Sequence, residues 1–426
     1  MCADLRQKQR IRILLVDNPI TSLFMAAWYR QRDYHKDLSC RTVAVYAAID
    51  YDDDTEEKKI IYKKASSGIL EDIVNEWYVC MPAKYESFYS TSFRKPVEII
   101  RKRLDRKADI KRIVELLNDH GIDADEVSEV WSANCVFLPH FRFICKKASI
   151  ISFEHGLSDL KNAVVYNQSA ERNDMGTNRL SNLAFSNLHR AKRAIKRKLD
   201  RLLIFYTMEV TIDKHISMFS KELAITNPHL NVESIESDAV SNLSLSIMRQ
   251  DPGYSFFTKL DGNSAIILLT PIEPFTSERH EQFRFFKSFE EYLIRHWSDF
   301  LIKNEIRNII FKSRFVLEVC TKEAVENFSS LNKLFNVVLL SDISPYNYNV
   351  EYYISTIRPK IIMGAYSSGL LYSKKIDPGL LTLSYDDWFI DYCENRFGWT
   401  SDYVWPRAFC ESNKMIAFRA FLPQEL

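Results

Sequence analysis

Glycine and proline are scarce in this chain, 10 and 13 among 426 residues, which leaves little room for low-complexity linkers. The eight cysteines (Cys2, Cys40, Cys80, Cys135, Cys145, Cys320, Cys393 and Cys410) form no C-x-x-C pair. That scatter fits free thiols in a reducing cytoplasm better than a disulfide framework or a zinc site. Neither sign of charge dominates, with 57 basic and 56 acidic residues, so no bulk electrostatic argument favours nucleic acid, and none is expected as a partner. No run of ~18 apolar residues occurs, and Met1 to Arg6 lacks the apolar core of a signal peptide. The expectation is a cytoplasmic protein, soluble or peripheral at the inner face of the cell membrane. No internal repeat shows at solenoid periods. What is present is a 46% hydrophobic, 13% aromatic composition, which is globular and excludes a largely disordered chain.

Ile11 to Val16 is a nearly unbroken apolar run, the pattern of a strand buried on both faces of a parallel sheet. Asp17-Asn18-Pro19 ends it, and Thr21-Ser22 can cap a helix through Met25 and Trp28. Thr42 to Ile49, Glu129 to Phe137 and Ala148 to Phe153 read as further strands. Helical periodicity covers Ile69 to Trp77 and residues 96–119. A second series follows the turn clusters Asp251-Pro252-Gly253 and Asp261-Gly262-Asn263. Its strands are Ala265 to Leu269, Asn308 to Phe311, Val337 to Leu340, Lys360 to Met363 and Leu380 to Ser384, with a helix over Glu278 to Lys303. Such alternation predicts an α/β fold of two Rossmann-like domains; facing one another across a central cleft, they would make the GT-B architecture. The expected division is 1–255 (with a helical insertion), 256–395, and an aromatic segment 396–426 packing back over the interdomain region. Within the insertion, Leu188 to Leu203 is strongly basic and amphipathic, suited to anionic lipid, an anionic acceptor or plain solvent exposure.

Four stretches carry chemical potential. Ile150 to Phe153 runs into Glu154-His155-Gly156, a carboxylate and an imidazole at a strand end, where open α/β sheets bind ligands. Lys312-Ser313-Arg314 ends another strand with two cations suited to phosphate oxygens, or to ordinary surface exposure. Ile361 to Gly364 leads into Ser367-Ser368 and an apolar helix, a phosphate-binding arrangement or simple capping. Glu351 opens a helix after Ser344-Pro345, where it can chelate ribose hydroxyls or complement the helix dipole.

In this order and spacing the pieces resemble the bacterial CMP-sugar-dependent glycosyltransferases of GT-B fold. These include sialyltransferases and polysialyltransferases and, more distantly, the Kdo transferases. Glu154-His155-Gly156 is similar to their D/E-D/E-G motif and to the Gln-His-Gly of Kdo transferases. Ser367-Ser368 matches their serine pair, Glu351 stands where the ribose glutamate would, and Asn18 to Ser22 looks like the first loop of sialyltransferases. The resemblance implies inverting transfer of sialic acid or a related nonulosonic acid from a CMP-activated donor to a glycan or glycolipid acceptor of capsule or lipooligosaccharide. Alternatives are a Kdo or polyol-phosphate transferase, or a catalytically silent GT-B protein of a capsule assembly complex. It further implies Lys312, Arg314, Ser367 and Ser368 on the donor phosphate, and Glu351, Gly364 and Thr270 around the ribose and cytidine. Asn18, Thr21 and Ser22 would meet the acceptor, with Glu154 as base and His155 as its competitor. A CMP donor already carries a phosphate leaving group, so no metal or other cofactor is required; Asp50-Tyr51-Asp52 reads as part of a solvated acidic loop. One departure stands out. Lys312-Ser313-Arg314-Phe315 replaces the expected Lys-x-His-Pro, and an arginine there can attract a phosphate but cannot donate a proton near neutral pH.

Overall fold

The computed structural model describes residues 10–34, 39–46, 56–80, 96–133, 138–154, 212–226, 230–260, 262–270, 272, 275–313, 319–346, 348–365 and 367–399. Two compact units divide between Ile235 and Glu236. That is ahead of the turn clusters at 250–262, because helix Ser237–Met248 packs on helix Val350–Ile357 of the second unit, where the Ser241 and Ser355 hydroxyls lie 2.6 Å apart. Both units are α/β, with wholly parallel sheets and interleaved helices, as the run-and-turn pattern predicts. Among the described residues no helix is long and apolar enough to cross a membrane.

The first unit carries strands β1 (Arg10–Val16), β2 (Cys40–Tyr46), β3 (Glu76–Val79), β4 (Val127–Ser132), β5 (Ser149–Phe153), β6 (Lys214–Ser217) and β7 (Val232–Ser234), ordered β3-β2-β1-β4-β5-β6-β7. The order reverses beside β1, which pairs with both β2 and β4. Ile11, Ile13 and Leu15 pack into one core with Val130, Ile150 and Phe141. The residues between them point to the opposite face, and there Arg12 lies inside the protein, only 2% exposed. Its cross-strand neighbours in register are Thr42 and Glu129. Nε donates to Glu129 at 2.7 Å and Nη1 to the Thr42 hydroxyl at 3.4 Å. The guanidinium also sits 4.5 Å from the Tyr34 ring centroid and 4.9 Å from that of Trp131, a cation–π arrangement. Burial alone would favour the neutral form, but the charge and hydrogen bond of Glu129 raise the pKa above its ordinary value.

One expectation is corrected in this unit, and two of its strands have no counterpart in the sequence pattern. The helical pattern at Ile69 to Trp77 is the end of helix Glu56–Ile69 followed by turns and then β3. Buried Ile69 at the helix end and buried Leu70 and Ile73 in the turns after it imitate one continuous helical stripe. Strands β6 and β7, Lys-His-Ile-Ser and Val-Glu-Ser, are too short and polar to read as strands. The basic segment Leu188 to Leu203 and the Asp50 to Asp52 triplet lie outside the described residues.

The second unit carries β8 (Ser264–Leu268), β9 (Asn308–Lys312), β10 (Asn336–Leu339), β11 (Ile361–Gly364) and β12 (Leu381–Ser384), ordered β10-β9-β8-β11-β12. Here the order reverses between β8 and β11. Helix Arg279–Lys303 buries Phe285, Phe289, Leu293, Trp297 and Leu301, a spacing of about four residues that keeps one face on the core. Trp388, Tyr392, Phe397 and Trp399 pack against the same core; residues 400–426 lie outside the described residues. Arg396 in helix Asp386–Phe397 grips the Glu281 carboxylate with two nitrogens, tying the two helices together.

Replacing Arg12 by leucine leaves Glu129 and Thr42 without their partner, and is expected to destabilise the first unit by about 2–4 kcal/mol, read as a lower urea midpoint. The Glu281 carboxyl is held down to about 2, against an ordinary 4.5, chiefly by its hydrogen bond from Arg396. A depressed carboxyl contributes stability that is fully present above its unfolded pKa and is lost as pH falls through the folded one. The stability difference between wild type and Glu281→Gln should therefore be constant above about pH 5 and vanish towards about pH 2, followed by denaturant titrations across that range.

Candidate functional site

The polar groups of the second unit gather at the carboxyl ends of its strands. Leu268, the last residue of β8, is in register with Lys312 on one side and Gly364 on the other. Lys312, Leu268 and Gly364 therefore form one row across the sheet, beside the point where the strand order reverses, the ordinary ligand position of such sheets. Two helices begin over this row. A Cβ on Gly364 would come within 3.2 Å of Leu268 Cβ. One on Gly369 would lie 2.6 Å from Val350 Cγ1, 3.2 Å from Ser367 Oγ and 3.3 Å from Leu268 Cδ1. The starts of helices Val350–Ile357 and Ser368–Ile376 thus touch across a missing side chain, over the end of β8.

Glu351 is in the first turn of helix Val350–Ile357 and is 3% exposed. Burial pushes its carboxyl up to about 7, partly offset by its own backbone N–H and by the charge of Lys312. Its Oε2 has no hydrogen-bond partner among the described residues. Lys312 is itself 6% exposed, and its ammonium donates to the Ser313 carbonyl at 2.7 Å. A cation and a carboxyl near its neutral point therefore share a desolvated corner.

Ser367 is the N-cap of helix Ser368–Ile376 and accepts from the Gly369 N–H at 3.3 Å, so the capping role open in the sequence belongs to this residue. Ser368 follows as the first helical residue, half-buried. Thr270, just past β8, donates to the Ala365 carbonyl at 3.2 Å, and Tyr385 donates to the Leu268 carbonyl at 2.5 Å; together they lace the strand ends around the reversal point. Ser344 donates to Asp251 at 2.6 Å, and that carboxylate also accepts from the Gly253 N–H at 2.7 Å. Gly369 has no role that the local sequence pattern reveals. Its adjacency to the serine pair was the available signal, but the need for glycine arises from Val350, nineteen positions away in the chain (369 − 350 = 19).

In the first unit, Glu154 follows β5 and is 0% exposed. Its carboxylate accepts from the Ser217 hydroxyl and, at 2.8 Å, from the Met218 N–H, while Ser217 Oγ accepts from the Phe219 N–H at 2.9 Å. Both carboxylate oxygens are thus engaged in bracing the turn after β6. Asn18 caps helix Pro19–Gln31, accepting from the Thr21 N–H at 3.0 Å, and its carbonyl accepts from the Ser22 hydroxyl at 3.0 Å. Thr21 and Ser22 are fully buried, so these three residues build a helix start. His155 and Arg314 lie outside the described residues.

No known family's model matches the chain and no curated protein matches it. Among solved structures, it is similar to a sialyltransferase from Photobacterium damselae, at 9% identity and a TM-score of 0.45, over 85% of this chain and 88% of that one. A Photobacterium 2,6-sialyltransferase in a ternary complex with CMP and lactose gives 11% identity and a TM-score of 0.44 over 88% and 71%. A UDP-GlcNAc 2-epimerase from Neisseria meningitidis bound to UDP-GlcNAc gives 14% and 0.44 over 88% and 82%. Likenesses this remote decide neither the fold nor the chemistry of this chain.

Gly369→Ala forces a methyl group against Val350 and is expected to cost about 1–3 kcal/mol, whereas Ser367→Ala removes one cap and should cost about 1 kcal/mol. Thermal unfolding of the two variants side by side measures that order.

Proposed function

We propose that this protein is an inverting glycosyltransferase that uses a CMP-activated nonulosonic acid, such as sialic acid, and a surface glycan or glycolipid as acceptor. The single observation that carries the reading is the corner where Lys312, Glu351 and the Ser367-Ser368 helix start converge over the strand ends of the second unit. In this reading the Ser368 hydroxyl and backbone N–H, at the start of the helix, and the Lys312 ammonium hold the donor phosphate. Arg314, two residues beyond Lys312, adds a second cation. Glu351 meets the ribose, with Gly364 and Thr270 on the cytidine side. The leaving phosphate is stabilised by fixed positive charge, which suits a segment that has arginine in place of the motif histidine.

The acceptor hydroxyl needs a base. Glu154 already has both oxygens engaged and no exposed surface. The reading therefore gives the proton to His155, whose unperturbed pKa suits the task, and leaves Glu154 to fix the strand end that precedes it. Asn18, Thr21 and Ser22 then shape the acceptor side by holding a helix start, and the basic segment Leu188 to Leu203 favours an anionic acceptor or membrane surface. The enclosed Glu154 also supports a second reading, a nucleotide-binding protein of a capsule assembly complex that performs no transfer.

Calorimetry with CMP and transfer assays with CMP-sialic acid, CMP-Kdo and CDP-glycerol separate these readings. CMP is expected to bind, about tenfold more weakly to Ser368→Ala, and His155→Ala is expected to lose about 10²–10⁴ in turnover with CMP affinity retained. CMP binding without turnover of any of the three donors would select the silent reading, and absence of CMP binding would remove the donor site.

A further inference from the structure

We propose that a nucleotide's phosphate and the Glu351 carboxylate compete for one positive corner, so that the phosphate binds with Glu351 in its neutral form. The inference rests on the donor site proposed above and adds the protonation state in which that site works.

The corner has a definite store of positive charge. Lys312 is almost enclosed, and it is the cation that acts on Glu351. Helices Val350–Ile357 and Ser368–Ile376 both begin there, and the first N–H groups of a helix carry partial positive charge. Ser367 satisfies the Gly369 N–H with its hydroxyl and the Leu370 N–H with its carbonyl at 3.2 Å, which leaves the Ser368 N–H to face the corner. Against this field stands one resident carboxyl, with an oxygen that no described residue hydrogen-bonds and a burial-raised affinity for its proton.

The other groups around it do not change the balance. From its own side come the Tyr348 and Tyr352 phenols, both pushed well above their ordinary range by burial. Beyond Tyr348 lies Asp251, whose two oxygens are taken by Ser344 and Gly253. Among the described residues, helix Ser368–Ile376 contributes the two serines at its start and the buried Tyr372 phenol, while its Lys374 and Lys375 are in the last turn. A phosphate arriving at Ser368 and Lys312 therefore places a second negative charge beside a carboxylate whose Oε2 has no hydrogen-bond donor among the described residues. Like charges in a desolvated site do not both ionise. The carboxylate takes up a proton, the phosphate takes over Lys312, and by linkage binding consumes a proton wherever free Glu351 is ionised. A neutral carboxyl still accepts a ribose hydroxyl through its carbonyl oxygen. A charged glutamate chelating the ribose would have the opposite sign, with binding strengthening as pH rises.

The test is the Kd of CMP from about pH 6 to about pH 8.5 for wild type and Glu351→Gln, whose amide imitates the neutral carboxyl. Dividing the two cancels the ionisation of the phosphate itself. The wild-type to variant ratio should be level at the acid end and rise by up to about tenfold per pH unit above about 7. Calorimetry of wild type in two buffers of different ionisation enthalpy should show proton uptake on binding, a readout that needs no variant. A ratio that is flat or falls with pH, or proton release on binding, overturns the competition and leaves the donor site standing. Absence of CMP binding at every pH overturns both.

Discussion

Between Val350 and residue 369 there is room for a hydrogen atom and nothing larger. Because that position is glycine, the starts of two helices close over the end of β8, and a methyl group would lie 2.6 Å from Val350 Cγ1. The contact places the Ser367 cap beside the first turn that carries Glu351. It also brings both helix starts to the row formed by Lys312, Leu268 and Gly364. A side chain at 369 would have to push one helix off the sheet, since packed interiors do not absorb a methyl group without a shift. The candidate site of the second unit is thus a consequence of close packing before it is a collection of polar residues.

Each unit keeps a charged group inside, and the two are treated differently. Arg12 has a carboxylate and a hydroxyl from neighbouring strands and aromatic faces around it. Its charge survives burial because every direction offers compensation. Glu351 has the charge of Lys312, its own N–H and an oxygen with no described partner. Satisfied buried charge hardens a core, whereas an unsatisfied one marks a place where something else is to bind or a proton is to move. By that criterion Glu154, enclosed with both oxygens engaged, belongs with Arg12 rather than with Glu351.

The strands at the centre of both sheets were legible in the chain because they are buried on both faces and need unbroken apolar runs: Ile11 to Val16, Ala265 to Leu269 and Lys360 to Met363. β6 and β7 were not, since peripheral strands of three or four residues carry no such run. β3 was hidden by Ile69, Leu70 and Ile73, whose spacing copies a longer helix although the helix ends at Ile69 and the other two pack from turns. Of the site, Ser367-Ser368 and Lys312 stood out because strand ends followed by hydroxyls or cations are local patterns. Arg12 looked like an interruption of an apolar run, because its partners Thr42 and Glu129 are 30 and 117 positions away.

The order of residues along the chain dictates which segments must be buried, and with that two parallel α/β units and the residues standing at their strand ends. Hydrophobic runs and turn residues act over a few positions, so they can be read locally. What the polar residues do is set by how the chain packs in three dimensions. Whether a carboxylate meets two donors, as Glu154 does, or lacks a partner for one oxygen, as Glu351 does, depends on strands and helices far apart in the chain. Desolvation and hydrogen-bond partners are properties of the packed neighbourhood, and no spacing along the chain records them.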